Sequence, residues 1–184
     1  MKRWRLVTLV AGPLALAAPV AHALERPVRL THDAPLYGTA THTPYSFFAA
    51  LSGPVEVGAL ACALTLSLLA WRDPSGSRAV RAWAIGGTAC FLAAHAAFWI
   101  LIQPASEVLG GWTPDAVSSN WTRFRDQWEW IHTIRAGLML IGFCALLRSV
   151  FLDLPSRRAR RDLPGKDYSF LELACSTAPE SRDA

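Results

Sequence analysis

Charge is what this sequence has least of. Only 17% of its 184 residues are Asp, Glu, Lys or Arg, where a soluble domain carries about a quarter. The shortfall is concentrated in four long apolar runs. Cysteine is scarce too: Cys62, Cys90 and Cys144 fall one to a run and Cys175 lies in the polar end, with no CxxC pair. That pattern excludes a disulfide framework or a zinc knuckle as the organising principle. Cysteines inside apolar runs behave as small hydrophobes, and Cys175 stands too far from the terminus for a prenylation signal. There is no glycine-rich phosphate loop, no nucleophile elbow and no internal repeat. The formal charge is +4 and the pI about 9.2, yet the basic residues flank apolar runs instead of interleaving with stacking aromatics. That distribution argues against a nucleic-acid partner and for a lipid bilayer.

What is present is membrane-scale hydrophobicity. Hydrophobic residues make up 52% of the chain and mean hydropathy is +0.25. The expected fold is all-α, a four-helix transmembrane bundle with helices over about 4–24, 46–71, 79–102 and 119–152. The transmembrane domain would span 1–154, followed by a basic, poorly ordered cytoplasmic tail over 155–184. The first run admits two readings. Lys2 and Arg3 before an apolar stretch ending in Ala21-His22-Ala23 fit a cleaved signal peptide. About 20 apolar residues also suffice for a retained helix, with Gly12-Pro13 as a tolerated kink. Asp73-Pro74-Ser75-Gly76 marks a tight turn between runs two and three. Gly86-Gly87 would permit close helix packing in run three. Arg72, Arg78, Arg81, Arg148 and the arginines from 157 to 161 gather at one end of the runs. If run one is retained, the positive-inside rule places both termini in the cytoplasm; the expected location is a bacterial inner membrane, as a multi-pass protein.

Ionisable residues inside or beside lipid are costly and usually pair, line a polar cavity or do chemistry. Under this topology His22, Glu25, Glu56, His95, Glu129 and His132 all lean toward the exterior face. His22 and Glu25, and Glu129 and His132, are i,i+3 pairs that share a helix face. Glu-x-x-His is the spacing of carboxylate-bridged metal bundles. The candidate metal ligands are therefore His22, Glu25, His95, Glu129 and His132, with the cofactor either a transition metal or none. Trp121, Arg125, Trp128, His132 and Arg135 form one stripe on the last helix, and Glu129 lies beside it. A guanidinium from Arg125 would stabilise the Glu129 carboxylate, making Glu129 and His132 a positioned acid/base pair and Arg125 its third catalytic member. Trp121, Trp128 and Glu56 are the candidates for contacting a lipophilic small molecule. The competing reading is an interfacial helix with Trp among headgroups and Arg reaching outward, its polar residues merely tying helix ends together. Loop residues His32, Asp33 and His42 are expected to be solvated.

Two stretches resemble a known family. Ala21-His22-Ala23-Leu24-Glu25-Arg26-Pro27 is similar to the helix-one ending of anthrone-oxygenase-like membrane proteins. Phe98-Trp99, Pro104, Trp121, Arg125, Trp128-Glu129, His132 and Arg135 resemble the signature around that family's last two helices. With the four-run layout, the resemblance covers residues 1–152. It implies a four-helix integral membrane protein that keeps its first helix, and a small oxidoreductase or oxygenase acting on a lipophilic aromatic compound. Some fungal relatives are linked to oxygenation of anthrones to anthraquinones; most bacterial members have no assigned role. The sequence departs from the pattern after Pro104, where Ala105-Ser106 stands in place of a frequent asparagine.

Overall fold

The structure is a computed structural model that describes residues 2–74, 76–112 and 119–161. Among the described residues every regular element is helical: α1 (Lys2–Arg29), α2 (Ala34–Arg72), α3 (Arg78–Ala97), a π-helical turn (Phe98–Ile102), α4 (Gln103–Gly110) and α5 (Trp121–Arg161). Four stretches are long and apolar enough to cross a membrane: Trp4–Arg29, Ala50–Arg72, Arg78–Gly110 and Trp121–Asp153. The shortest has 23 residues, about 35 Å of helix against a hydrocarbon core of about 30 Å.

Several boundaries differ from expectation. α1 runs on past residue 24 to Arg29 and carries Pro13, Pro19 and Pro27 within it. α2 begins at Ala34, about three turns before residue 46, so His42 lies on a helix and not in a loop. Asp33 is its cap: the side chain accepts from the Leu36 N–H at 3.0 Å. Pro35 sits in the first turn, where no N–H is needed. The third helix changes register toward its C-terminal end, where the Gln103 N–H donates to the Phe98 carbonyl five residues back. Pro104, which has no N–H to donate, follows at once.

The compact unit ends at Asp153, and the chain from Leu154 clusters separately. Helix α5 itself continues through Pro155 to Arg161, so the first residues assigned to a tail are helical. Residues 162–184, including Cys175, lie outside the described residues.

All four long helices contribute to one core. Ala15 and Leu16 of α1, Ala59, Ala63 and Leu66 of α2, Phe91 and Ala94 of α3, and Met139, Leu146 and Val150 of α5 pack together. Small residues let these backbones approach, and α3 and α5 come close together at Gly87 and Gly142. A Cβ on Gly87 would stand 2.7 Å from the Gly142 carbonyl oxygen, and one on Gly142 would stand 2.9 Å from that of Gly87. Gly86 has nothing within 4 Å, so only the second glycine of the pair serves the packing. Several polar groups between the helices pair across them, as an apolar surrounding favours. Ser67 meets Thr88 at 2.8 Å, Ser149 donates to the Val80 carbonyl at 2.9 Å, and Arg5 pairs with Asp153, both buried.

Candidate functional site

Glu129 sits on α5 at 0% exposure, enclosed by donors from two other helices. Arg29, at the end of α1, donates through Nε to Oε1 at 2.7 Å. The Tyr37 hydroxyl, from the first turn of α2, donates to the same oxygen at 3.0 Å. His22 Nε2, two turns before Arg29 on α1, lies 3.1 Å from Oε2, an ion-pair separation without hydrogen-bond alignment. Arg29 also donates to Thr41 Oγ1 at 2.9 Å and lies over the Tyr37 ring at 4.9 Å. One carboxylate thus ties α1, the start of α2 and α5 together.

The geometry follows from helical periodicity. His22 and Arg29 are seven residues apart, and Tyr37 and Thr41 four apart, so each pair shares one face. Tyr37 is almost fully buried. Burial first, and then the Glu129 charge, push its phenol well above the ordinary tyrosine value. It therefore remains a hydrogen-bond donor through the physiological range.

Aromatic rings close the rest of the cluster. His22 meets Trp128 edge-on at 4.7 Å between ring centres and His132 at 4.5 Å. Trp128 and His132 are 4.1 Å apart. The His132 Nδ1 lies 2.9 Å from the Trp128 carbonyl oxygen one turn earlier. That contact favours the tautomer with its proton on Nδ1, leaving Nε2 as an acceptor. The buried Trp128 indole N–H donates to Ser106 Oγ at 2.9 Å.

A second polar pairing lies deeper along the same helix. Arg135, six residues beyond Glu129, pairs with the buried Glu56 of α2. It also donates to the Ala94 carbonyl of α3 at 3.2 Å and stands over the Phe98 ring at 5.2 Å. Glu56, Leu60, Phe91, Ala94, His95, Arg135 and Met139 line a recess of about 10 Å³, room for about one water molecule. His95 accepts from the Trp99 indole N–H at 3.1 Å.

The six residues expected to converge therefore divide. His22, Glu129 and His132 come together; Glu56 and His95 meet around the recess with Arg135; Glu25 is exposed on α1. Arg125 is not the guanidinium beside Glu129. Long side chains on a helix point toward its N-terminus, and Arg125 accordingly lies over Trp121 at 4.9 Å and donates to Asp126 and to the Leu30 carbonyl. Arg29 holds the place expected of it. The imidazole in contact with Glu129 is His22, not His132. Trp121 is half-buried, with Tyr37 at 6.0 Å. Trp128 is buried inside the cluster.

Among the described residues no group of three or more His, Cys, Asp or Glu side chains is arranged to hold a metal ion. Arg29 and Tyr37 occupy one Glu129 oxygen, and Trp99 occupies His95 Nε2. The residues that sequence reasoning missed, Arg29 and Tyr37, did leave a signal. Arg29 repeats the His22 face two turns on, and Asp33-Ala34-Pro35 announces the helix that carries Tyr37. No protein-family model, no curated protein and no solved structure matches the chain.

Proposed function

We propose that the chain is a small multi-pass integral membrane protein, of a bacterial inner membrane with both termini cytoplasmic, whose Glu129 cluster locks the helix bundle near the exterior face. The observation that carries this is the complete enclosure of Glu129 by Arg29, Tyr37 and His22. A carboxylate in apolar surroundings is tolerated only when paired and hydrogen-bonded. Here its partners come from two other helices, α1 and α2. The orientation is supported by Arg72, Arg78, Arg81 and Arg148 at the opposite end.

The test is thermal unfolding in detergent of Glu129→Met, Arg29→Met and the matched Glu129→Met/Arg29→Met double variant. Removing one partner of a buried ion pair costs roughly 3–5 kcal/mol, while apolar replacement of both is far milder. Each single variant should melt well below wild type and the double should recover much of the loss. Single variants that melt with wild type would refute the lock.

A second reading is a membrane oxidoreductase or oxygenase acting on a lipophilic aromatic compound, in the manner of the anthrone-oxygenase-like family. The His132 ring favours it. Its Nδ1 is held by a backbone carbonyl, and among the described residues no group bonds Nε2, which is thereby available as a base. In this reading Glu129 and His22 position the neighbouring ring, and Arg29 takes the role first given to Arg125. Oxygen consumption with lipophilic hydroxyaromatics, and elemental mass spectrometry of wild type beside Glu129→Ala/His132→Ala, address it. Turnover abolished by His132→Ala at unchanged melting temperature is the result it requires.

A further inference from the structure

The recess between α2, α3 and α5 uses neither the Glu129 cluster nor the lock, and its chemistry is specific. At about 10 Å³ it admits one water-sized group and no ring. Leu60, Phe91 and Met139 make its walls apolar. The polar groups lining it are Glu56, His95 and Arg135. Arg135 is committed to Glu56 Oε2 and to the Ala94 carbonyl. No other group among the described residues bonds the Glu56 carboxylate, so Oε1 remains an acceptor. Trp99 donates to His95 Nε2, so the neutral imidazole carries its proton on Nδ1 and is a donor there.

An acceptor on Glu56 and a donor on His95, two residues lining a space the size of an oxygen atom, match a hydroxyl group, which both gives and takes a hydrogen bond. An ammonium would meet Arg135, and a carboxylate would meet Glu56. The surroundings select what carries the hydroxyl. His95 is half-buried, and the neighbouring Leu92 and Trp99 are exposed apolar side chains. The approach therefore runs over an apolar helix surface of the kind that faces lipid. We propose that the recess binds the hydroxyl of a lipophilic aliphatic alcohol, its O–H donating to Glu56 Oε1 and its oxygen accepting from His95 Nδ1–H.

The experiment compares 1-decanol with decane, equal in length and differing in the hydroxyl, on the full chain in lipid nanodiscs with ¹⁵N-labelled histidine. His95→Phe assigns the His95 ring resonances. Saturable movement of those resonances by 1-decanol is expected, with decane at the same membrane concentration leaving them in place. Binding of the alcohol, corrected for partition, should be stronger than that of the alkane by about fivefold or more, and His95→Phe should bring the two together. Equal shifts from both molecules, no shift of His95 from either, or a preference that survives His95→Phe would overturn the assignment. Should that variant not fold, His95→Leu takes its place for both the assignment and the comparison.

Discussion

Replacing Gly87 by alanine is the smallest change that tests how the bundle is packed. The added Cβ would lie 2.7 Å from the Gly142 carbonyl oxygen, 2.8 Å from Leu146 Cγ and 3.0 Å from the Leu146 backbone nitrogen. Two of those three atoms are backbone and cannot rotate away. Ordinary contact begins near 3.4 Å, so α3 and α5 would have to part by roughly 0.7 Å, the difference between 3.4 and 2.7. That separation loosens the Phe91–Leu146 core and the Ser149 hydrogen bond to Val80. Overpacking of this kind costs about 1–3 kcal/mol, and at about 2–4 °C per kcal/mol for a chain of this size the melting temperature should fall by roughly 2–12 °C. Cys62, Cys90 and Cys144 are free thiols on three different helices, so a thiol-reactive fluorophore in detergent reports the opening directly. Gly86→Ala is the internal control. Its Cβ would meet nothing within 4 Å, and alanine is the better helix former by about 1 kcal/mol, so it should melt at or slightly above wild type. If Gly87→Ala melts with wild type, or Gly86→Ala is equally damaging, the close α3–α5 crossing is wrong.

Two further outcomes follow from the start of α2. Tyr37→Phe leaves Glu129 and Arg29 in place but removes one donor, and should destabilise by about 1–3 kcal/mol. Because the folded protein holds the Tyr37 proton more tightly than the unfolded chain, this contribution is fully present below the unfolded tyrosine pKa of about 10 and declines as pH rises above it. The gap between wild-type and Tyr37→Phe melting temperatures should accordingly be constant from pH 7 to about 9 and narrow above about 10; a gap that widens there would contradict the buried phenol–carboxylate bond. Asp33→Ala removes the cap and should cost about 1 kcal/mol, with faster hydrogen exchange at the Leu36 amide and little change in α3; protection unchanged at Leu36 would show that the cap does not hold the helix start.

The hydrophobic segments were legible because lipid-scale apolarity is a property of local sequence. Four runs, the turn at Asp73-Pro74 and the approach at Gly87 could each be read from composition or a single residue type. Partner choice was less legible, because it depends on how helices rotate against one another. Glu129 and His132 share a helix face, and that much periodicity supplied. Which carboxylate meets which imidazole was decided by α1, whose helical phase brings His22 and Arg29 round to α5 together. Arg125 was assigned to Glu129 on spacing alone, and spacing omits the direction in which a long side chain leans. Tyr37 was hidden because polar residues before Ser46 read as loop, although Asp33 and Pro35 spell a helix start. Glu56 and Arg135 are 79 residues apart, and no local pattern links them.

The ion pairs at the two ends of α1 and α5 have a consequence for how these helices can change over time. Arg5 and Arg29 are 24 residues apart, and so are Glu129 and Asp153. Running in opposite directions, the two helices therefore match like the marks on a pair of rulers, about 36 Å from one buried contact to the other. An insertion or deletion of one residue between the marks on either helix would turn one contact by about 100° and shift it by about 1.5 Å. A charge would then be left facing apolar side chains. Side chains in the stretch between are limited only by packing, but its length is held at both ends, and a change of length in α1 would have to be met by an equal change in α5.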